Sequence, residues 1–231
     1  MKRAIILAGG KGTRLKPYTI SMPKPLVPIG GKPILERIIM TLRNHGFNHI
    51  TVTVNHMAEM IMSYFEDGSK WDVKIDYSLE RSPLSTMGPL KLIQDLPDDF
   101  LVLNGDVLTD LDLSVFFENH IHSNAMFTIS SSKRIEKVDY GVLHIGDSFE
   151  LLNFEEKPSF EFQVSMGVYM LNKSVLDYIP IETFFGFDHL MKCLLTENVP
   201  VKVIEHKGFW LDIGRPSDYE YANDNYEKIL L

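Results

Sequence analysis

A glycine-rich segment near the amino end carries the first residues that could do chemistry. Gly9, Gly10 and Gly12 follow an apolar run, with Lys11 and Arg14 beside them. Because glycine lacks a Cβ, the backbone here can approach a ligand closely, and inward-pointing N–H groups form a concavity that suits phosphate oxygens. The two cations add to this preference. A glycine-rich turn with no ligand is the structural alternative.

The spacing of these glycines excludes two widespread nucleotide-binding signatures. A Walker loop needs a glycine, four residues and then Gly-Lys-Ser/Thr, and this spacing does not occur in the chain. A dinucleotide fingerprint needs Gly-x-Gly-x-x-Gly, but counted from Gly10 and Gly12 the third position is Leu15. NAD-linked oxidoreduction is therefore the weakest of the enzyme classes considered.

Lys24, which stands between Pro23 and Pro25, is a second candidate. The two proline rings fix the backbone on both sides of the lysine and so limit where its ammonium can reach. A lysine held in this way suits a specific phosphate better than bulk solvent, although a lone lysine is more often an ordinary surface residue.

Aspartates supply the candidate metal ligands. Asp106 comes just after the apolar run Phe100–Leu103, so we expect its carboxylate at the carboxyl end of a parallel sheet, where open α/β sheets bind ligands. A hard oxygen ligand there suits Mg²⁺, which takes one or two carboxylates together with phosphates and water. Asp110 and Asp112 form a rival Asp-x-Asp pair, of the kind that holds metal in many glycosyltransferases. Asp112 also precedes the helical run Leu113–His120, which favours a helix N-cap.

Composition limits the classes of partner. The 231 residues carry a net charge of −8, which argues against non-specific nucleic-acid binding because that needs a basic face. Residues 1–37 nevertheless hold eight Lys and Arg side chains against the single acid Glu36, which fits a local anion site. No stretch is long and apolar enough for a membrane span or a signal peptide, and the single Cys193 allows no intrachain disulfide. We expect a cytoplasmic protein with no nucleic-acid or membrane partner.

Hydrophobic periodicity indicates the elements that must position these residues. In the first part of the chain buried strands alternate with amphipathic helices, which predicts an α/β fold: a three-layer, Rossmann-like, mostly parallel sheet with helices on both faces. Beyond about residue 125 the strands follow one another closely. The predicted strands are 3–8, 49–54, 73–77, 100–103, 125–131, 140–145, 151–154, 164–171, 201–205 and 208–212, and the predicted helices are 33–42, 57–65, 113–120, 173–178, 187–196 and 216–229.

Taken in order, several segments resemble the signature of the sugar-1-phosphate nucleotidyltransferase family. The glycine loop runs Leu7-Ala8-Gly9-Gly10-Lys11-Gly12-Thr13-Arg14-Leu15 and is followed by Pro23-Lys24-Pro25-Leu26. Four further blocks follow in the family's order: Asn104-Gly105-Asp106, Glu156-Lys157-Pro158, Gly167-Val168-Tyr169 and Trp210-Leu211-Asp212-Ile213-Gly214. The likeness spans nearly the whole chain, and a chance occurrence of these blocks in this order is implausible.

The resemblance implies an enzyme that condenses a nucleoside triphosphate with a sugar 1-phosphate and releases pyrophosphate, with Mg²⁺ as cofactor. Asp106 and Asp212 would hold the metal, although Asp212 taken alone is equally well a surface or capping aspartate. Arg14 and Lys24 would be catalytic. The implied nucleotide contacts are Leu7, Ala8, Gly9, Gly10, Lys11, Gly12, Thr13, Arg14, Lys24, Thr86, Gly88 and Asp106, and the implied sugar-phosphate contacts are Gly141, Glu156, Lys157 and Gly167.

The sequence shows no boundary between domains. No linker rich in Gly, Ser or Pro divides the chain, so we predict one nucleotidyltransferase domain over residues 1–231. Its nucleotide-binding half covers about 1–124 and its sugar-phosphate-binding half about 125–231. The oligomeric state is left open, with a homodimer as one alternative.

Two segments depart from the family pattern. A loop that commonly has the form Leu-Gly-Thr-Ala-Gly-Ala stands here as Leu84-Ser85-Thr86-Met87-Gly88-Pro89, and Ser165-Met166 replaces the commoner Asn-Ala before Gly167. Residues 64–71 and 210–219 look closest to guanylyltransferases, which act on mannose, hexosamine or heptose 1-phosphates, so GTP is the expected triphosphate. Two alternatives stay open: a glycosyltransferase that uses Asp110 and Asp112, and a catalytically silent nucleotide-binding regulatory homologue.

Overall fold

Strands and helices alternate along the computed structural model, which describes residues 2–229, with side chains to residue 227. The strands are β1 (Arg3–Leu7), β2 (Pro28–Ile29), β3 (Lys32–Pro33), β4 (His49–Val54), β5 (Lys74–Leu79), β6 (Asp99–Asn104), β7 (Val107–Thr109), β8 (Phe127–Lys137), β9 (Gly141–Ile145), β10 (Leu151–Glu156), β11 (Ser159–Asn172), β12 (Val201–Glu205) and β13 (Trp210–Asp212). The α-helices are α1 (Ile34–Asn44), α2 (Ala58–Phe65), α3 (Leu113–Ser123), α4 (Phe187–Thr196) and α5 (Pro216–Ile229).

Seven of these strands form one sheet in the order β12-β8-β11-β6-β1-β4-β5. Six of them run in the same direction, and β11 is antiparallel to both of its neighbours. The predicted mostly parallel sheet is confirmed. The predicted helix at 173–178 is a 3-10 helix, and the short strands β2, β3 and β7 were not foreseen because two or three residues carry no periodicity.

Two hydrophobic cores cover the two faces of this sheet. On one face, α1, α2, α3 and α5 pack over side chains such as Ile6 and Leu103. On the other face, α4 and two 3-10 helices pack over Ile5 and Val102. Because alternate residues of β1 and β6 point to opposite faces, each strand contributes to both cores and is apolar along its middle. This is the predicted three-layer α/β arrangement.

Strands β8 and β11 extend well beyond the core. They are 11 and 14 residues long, whereas the sequence predicted seven or eight residues for each. The outer parts of both strands are exposed, and there Glu136 pairs with Phe160 and Arg134 with Phe162. Since neither face of this extension is buried, the alternation that marks a half-buried strand is absent from its sequence. Beside it, β9 and β10 form a separate exposed hairpin.

The main sheet draws strands from both predicted halves of the chain. Strand β11, from beyond residue 125, lies directly beside β6, from before it. The division near residue 124 therefore stays a prediction. Among the described helices, none combines the length and the apolar character that crossing a membrane requires.

Candidate active site

The candidate site lies at the edge of the sheet where parallel strands end. Strand β1 ends at Leu7, and Asn55, Glu80 and Asp106 come shortly after the ends of β4, β5 and β6. Carboxyl ends of neighbouring parallel strands meet at one edge, so these residues converge although they are far apart in the sequence.

The glycine loop turns back on itself directly after β1. Gly12 has a φ of 61°, in the left-handed region that a side chain disfavours, and a Cβ there would lie 3.1 Å from both Lys24 and Thr19. The turn is fixed because the Thr19 hydroxyl donates to the Gly12 carbonyl at 2.8 Å. Glycine is therefore needed at this position, and the loop lies directly against the lysine that sequence reasoning selected.

Two adjoining cavities open over this loop and share Leu7, Gly10, Arg14 and Asp106. The smaller, of about 200 Å³, is lined by Leu7, Ala8, Gly10, Gly12, Thr13, Arg14, Lys24, Pro25, Gly105, Asp106 and Gly214. The larger, of about 560 Å³, is lined by Leu7, Gly9, Gly10, Lys11, Arg14, Thr53, Asn55, Glu80, Pro83, Ser85, Thr86, Asn104, Asp106 and Phe184. After the nucleotide contacts that the family resemblance implies, we call the smaller one the phosphate cavity and the larger one the base cavity. All the predicted nucleotide contacts except Gly88 line one or both.

The two predicted metal ligands lie side by side. Strands β7 and β13 pair, with Asp212 opposite Val107, and the Ile213 amide donates to the Asp106 carbonyl at 3.0 Å. The Lys24 ammonium forms an ion pair with Asp106 Oδ2. A Cβ on Gly214 would lie 3.6 Å from Asp212 Oδ2 and 3.7 Å from an Arg14 guanidinium nitrogen, so Arg14 and Asp212 meet at this glycine.

The electrostatics of this pair suit a divalent cation. Burial and, after it, the neighbouring Asp106 carboxylate raise the pKa of Asp212 to about 6, against the opposing effect of Lys24 and Arg14. Among the described residues, the buried Oδ1 atoms of Asp106 and Asp212 accept no hydrogen bond. Buried acceptor oxygens without partners are costly, and a cation bound by both would satisfy them. The described residues form no cluster of three metal-ligating side chains, and two carboxylates with phosphate oxygens fit Mg²⁺.

The predicted sugar-phosphate contacts lie outside the walls of the two cavities. Gly141 and Glu156 are paired across β9 and β10, and a Cβ on Gly141 would lie 3.3 Å from Glu156 Oε2. Lys157 follows with a φ of 48° and is exposed. Gly167 has a φ of 74°, and a Cβ there would lie 2.5 Å from the Asn104 amide, which lines the base cavity. The structure thus groups Gly141, Glu156 and Lys157 on the hairpin and places Gly167 behind the base cavity.

The altered loop at residues 84–89 is anchored by the segment before α4. Thr86 lines the base cavity, and its hydroxyl accepts from the Phe187 amide at 2.8 Å. Gly88 instead lies buried beneath the loop, where its amide donates to the Phe185 carbonyl at 2.8 Å. Met87 and Pro89, two of the unusual residues, are buried and do not line the cavity. Of the three replacements only Ser85 lines the cavity.

Sequence reasoning missed Glu80, Asn55 and Thr53, which also line the base cavity. Asp106 was predicted because residues that follow parallel strands lie at the ligand-binding edge of the sheet. The same rule applies to Asn55 and Glu80, which directly follow β4 and β5. No motif marked them, and a single polar residue after a strand is common.

The rival pair Asp110 and Asp112 is divided between two different sets of contacts in this fold. Asp112 Oδ1 accepts from the amides of Ser114 and Val115, both at 2.9 Å, which confirms the predicted N-cap of α3. Asp110 Oδ1 instead lies 2.7 Å from the Nε2 atom of His206. The two carboxylates therefore have separate structural partners.

We expect Asp112→Ala to cost about 1 kcal/mol of unfolding free energy and to leave catalysis unchanged, because an N-cap stabilises its helix and touches no reactant. Urea denaturation and steady-state kinetics measure the two effects. Exposed Asp224→Ala on α5 is the control and should change neither. Loss of turnover in Asp112→Ala with unchanged stability would instead favour a metal role for this residue.

Comparison with known proteins identifies relatives along the whole described chain. The profile of the family described as nucleotidyl transferase matches residues 3–229. A UTP–glucose-1-phosphate uridylyltransferase of Synechocystis is 38% identical over an alignment of 241 residues, which covers 95% of this chain and 62% of that protein. A mannose-1-phosphate guanyltransferase of Yarrowia lipolytica is 37% identical over 227 residues, which cover 94% of this chain and 62% of that protein. The chain thus spans about 62% of the length of these curated relatives.

Two solved structures are also similar to this chain. HddC from Yersinia pseudotuberculosis, in a crystal structure with GMP-PN, is 30% identical, and its TM-score is 0.76 over 98% of this chain and 100% of that chain. A Bacillus anthracis protein is 22% identical with a TM-score of 0.79 over 100% of this chain and 97% of that chain, which shows the shared fold alone.

Proposed function

The chain belongs to the nucleotidyl transferase family, and from that premise we propose that it joins a nucleoside triphosphate to a sugar 1-phosphate and releases pyrophosphate. The observation that carries the proposal is the meeting of cations and carboxylates at one sheet edge. Arg14 and Lys24 line the phosphate cavity, and Asp106 and Asp212 lie beside them with buried oxygens that no described residue satisfies.

Charge repulsion is the physical problem of this reaction. Both reactants are anions, and two unit charges 4 Å apart repel by about 4 kcal/mol at an effective dielectric of about 20. No covalent nucleophile is needed, so the protein must supply positive charge and alignment for an in-line attack on the α-phosphorus. Mg²⁺, when bound by Asp106 and Asp212, would supply positive charge shared by the two substrates.

Each cationic side chain has a separate task in this proposal. Lys24, held in place by Asp106 and by its flanking prolines, stabilises the α-phosphate, where negative charge builds up during the attack. Arg14 borders both cavities and stabilises the β- and γ-phosphates that leave as pyrophosphate. Lys157 neutralises the phosphate of the sugar, and Glu156 accepts hydrogen bonds from sugar hydroxyl groups.

GTP is the triphosphate we propose, because of Glu80 at the end of the base cavity. Glu80 is only 7% exposed, and burial raises the pKa of its carboxyl group. Its Oε2 atom accepts from the Leu84 amide at 3.2 Å, while Oε1 lies 2.5 Å from the position of a Cβ on Gly9. One carboxylate oxygen is thus fixed by the protein and the other is turned toward the glycine loop, where a base would bind.

Guanine fits this carboxylate better than uracil does. Guanine presents the N1–H and N2–H groups side by side, and an ionised carboxylate is an acceptor for such adjacent donors. Uracil presents one N–H between two carbonyl oxygens, which a carboxylate repels. The Thr53 hydroxyl also lines this cavity, is buried, and has no hydrogen-bond partner among the described residues, so a polar base would complete it. For the second substrate, we propose a mannose-, hexosamine- or heptose-type 1-phosphate.

Glu80→Gln tests the base assignment. We expect the preference for GTP over UTP in kcat/KM to fall by about 100-fold, because the amide offers one acceptor and places a donor against guanine's own donors. Pyrophosphate release is measured for a matrix of nucleoside triphosphates and sugar 1-phosphates. Glu59→Gln, an exposed glutamate on α2, is the matched control and should keep the preference.

Results from this matrix, from calorimetry of triphosphate binding and from assays with nucleotide sugars can each contradict part of the proposal. A wild-type protein that prefers UTP, or an unchanged preference in Glu80→Gln, removes the argument for guanine. Binding of triphosphate without pyrophosphate release for any sugar phosphate would indicate the catalytically silent homologue. Transfer of sugar from a finished nucleotide sugar would indicate a glycosyltransferase.

A further inference from the structure

An exposed aromatic ring stands at the rim of the base cavity. Phe184 lies in the segment before α4 and is 62% exposed, although a phenyl ring has no polar group that water could satisfy. Among the described residues that line the base cavity, it is the single aromatic one. Leu7 and Pro83 are the other large apolar side chains there. On the protein side the ring meets His189 of α4 edge to face, with centroids 6.4 Å apart, and this contact leaves most of the ring exposed.

The backbone on the C-terminal side of Phe184 is fixed. The Phe185 amide donates to the Leu84 carbonyl at 3.0 Å, and the Met87 amide donates back to the Phe185 carbonyl at 2.9 Å. The next two rings along the chain are anchored in the core, since Phe185 is buried and Phe187 stacks on Tyr169 with centroids 4.9 Å apart. Phe184 is therefore an exposed ring on a firmly held segment.

We propose that Phe184 is the stacking surface for the nucleobase whose edge binds Glu80, and that it is a specificity-determining residue for a purine. This inference rests on the proposed function, because it needs a nucleotide in the base cavity. A base that reaches Glu80 has its donors satisfied at one edge, but its flat faces still need apolar contact. Base–aromatic stacking supplies that contact, and a purine offers a larger face than a pyrimidine.

Binding of Mg²⁺–GTP in the absence of sugar phosphate tests this inference by calorimetry. We expect Phe184→Ala to raise the Kd for GTP about tenfold and the Kd for UTP less. Phe184→Leu keeps apolar bulk without the ring and should show most of the loss, whereas Phe184→Tyr should bind like the wild type. Phe149→Ala removes a phenylalanine that is 88% exposed in the turn between β9 and β10, and it should leave both Kd values unchanged.

Kinetics separate this inference from the function on which it rests. At saturating GTP, Phe184→Ala should keep kcat within about twofold and should leave the KM for the sugar 1-phosphate unchanged, since stacking acts equally on bound substrate and transition state. A wild-type enzyme that forms product from GTP while Phe184→Ala has an unchanged Kd for GTP overturns the stacking role alone. A raised KM for the sugar phosphate with unchanged GTP binding also overturns it, because the ring would then contact the other substrate. Failure of the wild type to bind or use GTP contradicts the proposed function itself.

Discussion

Asp212→Asn is expected to lower kcat by about three orders of magnitude and, in metal-free protein, to raise the melting temperature. The loss of activity follows because an amide oxygen is a weaker ligand than a carboxylate for a hard cation. The gain in stability follows from the buried charge. Asp212 lies beside Asp106, and burial raises the pKa of Asp212 to about 6 from the ordinary 3.8.

The sign of the pH dependence follows from this raised pKa. Between the ordinary pKa and about 6 the folded protein binds more protons than the unfolded chain, so the unfolding free energy falls as pH rises through this range. At about pH 7.5 Asp212 is a half-buried anion, and its replacement by the neutral amide should raise the melting temperature by about 2–6 °C. Toward about pH 4 this difference should disappear, because the wild-type group is then protonated too.

Thermal melts with and without Mg²⁺ distinguish a metal-binding role for Asp212 from a purely structural role. Mg²⁺ should stabilise the wild type and have little effect on Asp212→Asn, because the variant lacks one ligand. Asp224→Asn, an exposed change on α5, should behave like the wild type in every respect. A lower melting temperature for metal-free Asp212→Asn, or turnover above a tenth of the wild-type rate, contradicts the assignment of Asp212 as a buried metal ligand.

The sequence was sufficient for the parts of the site that depend on strand ends and on backbone geometry. The glycine loop had to follow a buried strand, and Asp106 had to emerge at the same edge, because parallel strands leave no other arrangement. Asp212 was different. It was selected through a family resemblance, and its approach to Asp106 depends on the pairing of β7 with β13, two three-residue strands that carry no pattern of their own.

The sequence does not predict contacts between loops that lie far apart along the chain. Nothing in the residue types distinguishes Thr86, which lines the base cavity, from Gly88, which lies buried beneath it. The outcome depends on the segment before α4, whose Phe185 fixes the loop from a distance of about a hundred positions. The long extension of β8 and β11 was missed for a related reason, since exposed strands are held by backbone pairing that leaves no mark on hydrophobicity.

Lys24→Met should lower kcat by about 100- to 1,000-fold while the apolar stem of the side chain is kept. Lys24 lines the phosphate cavity and forms an ion pair with Asp106, so its loss removes a positive charge from the place where the α-phosphate becomes more negative. The metal-free variant should also melt at a lower temperature, because the two half-buried carboxylates of Asp106 and Asp212 then lie side by side with one cation fewer. Added Mg²⁺ should restore the melting temperature without restoring kcat, which separates catalysis from folding.

Arg14→Met and Lys32→Met complete the comparison. Arg14→Met should also lower kcat, because Arg14 borders both cavities, whereas Lys32 is exposed and lies outside them, so its replacement should leave kcat unchanged.

The split between kcat and KM is the decisive measurement for Lys24. A higher KM for GTP with normal kcat would mean that the lysine contacts bound substrate and transition state equally, and that its proposed role at the α-phosphate is wrong. A kcat that falls with KM unchanged is the result expected of a charge that acts mainly on the transition state.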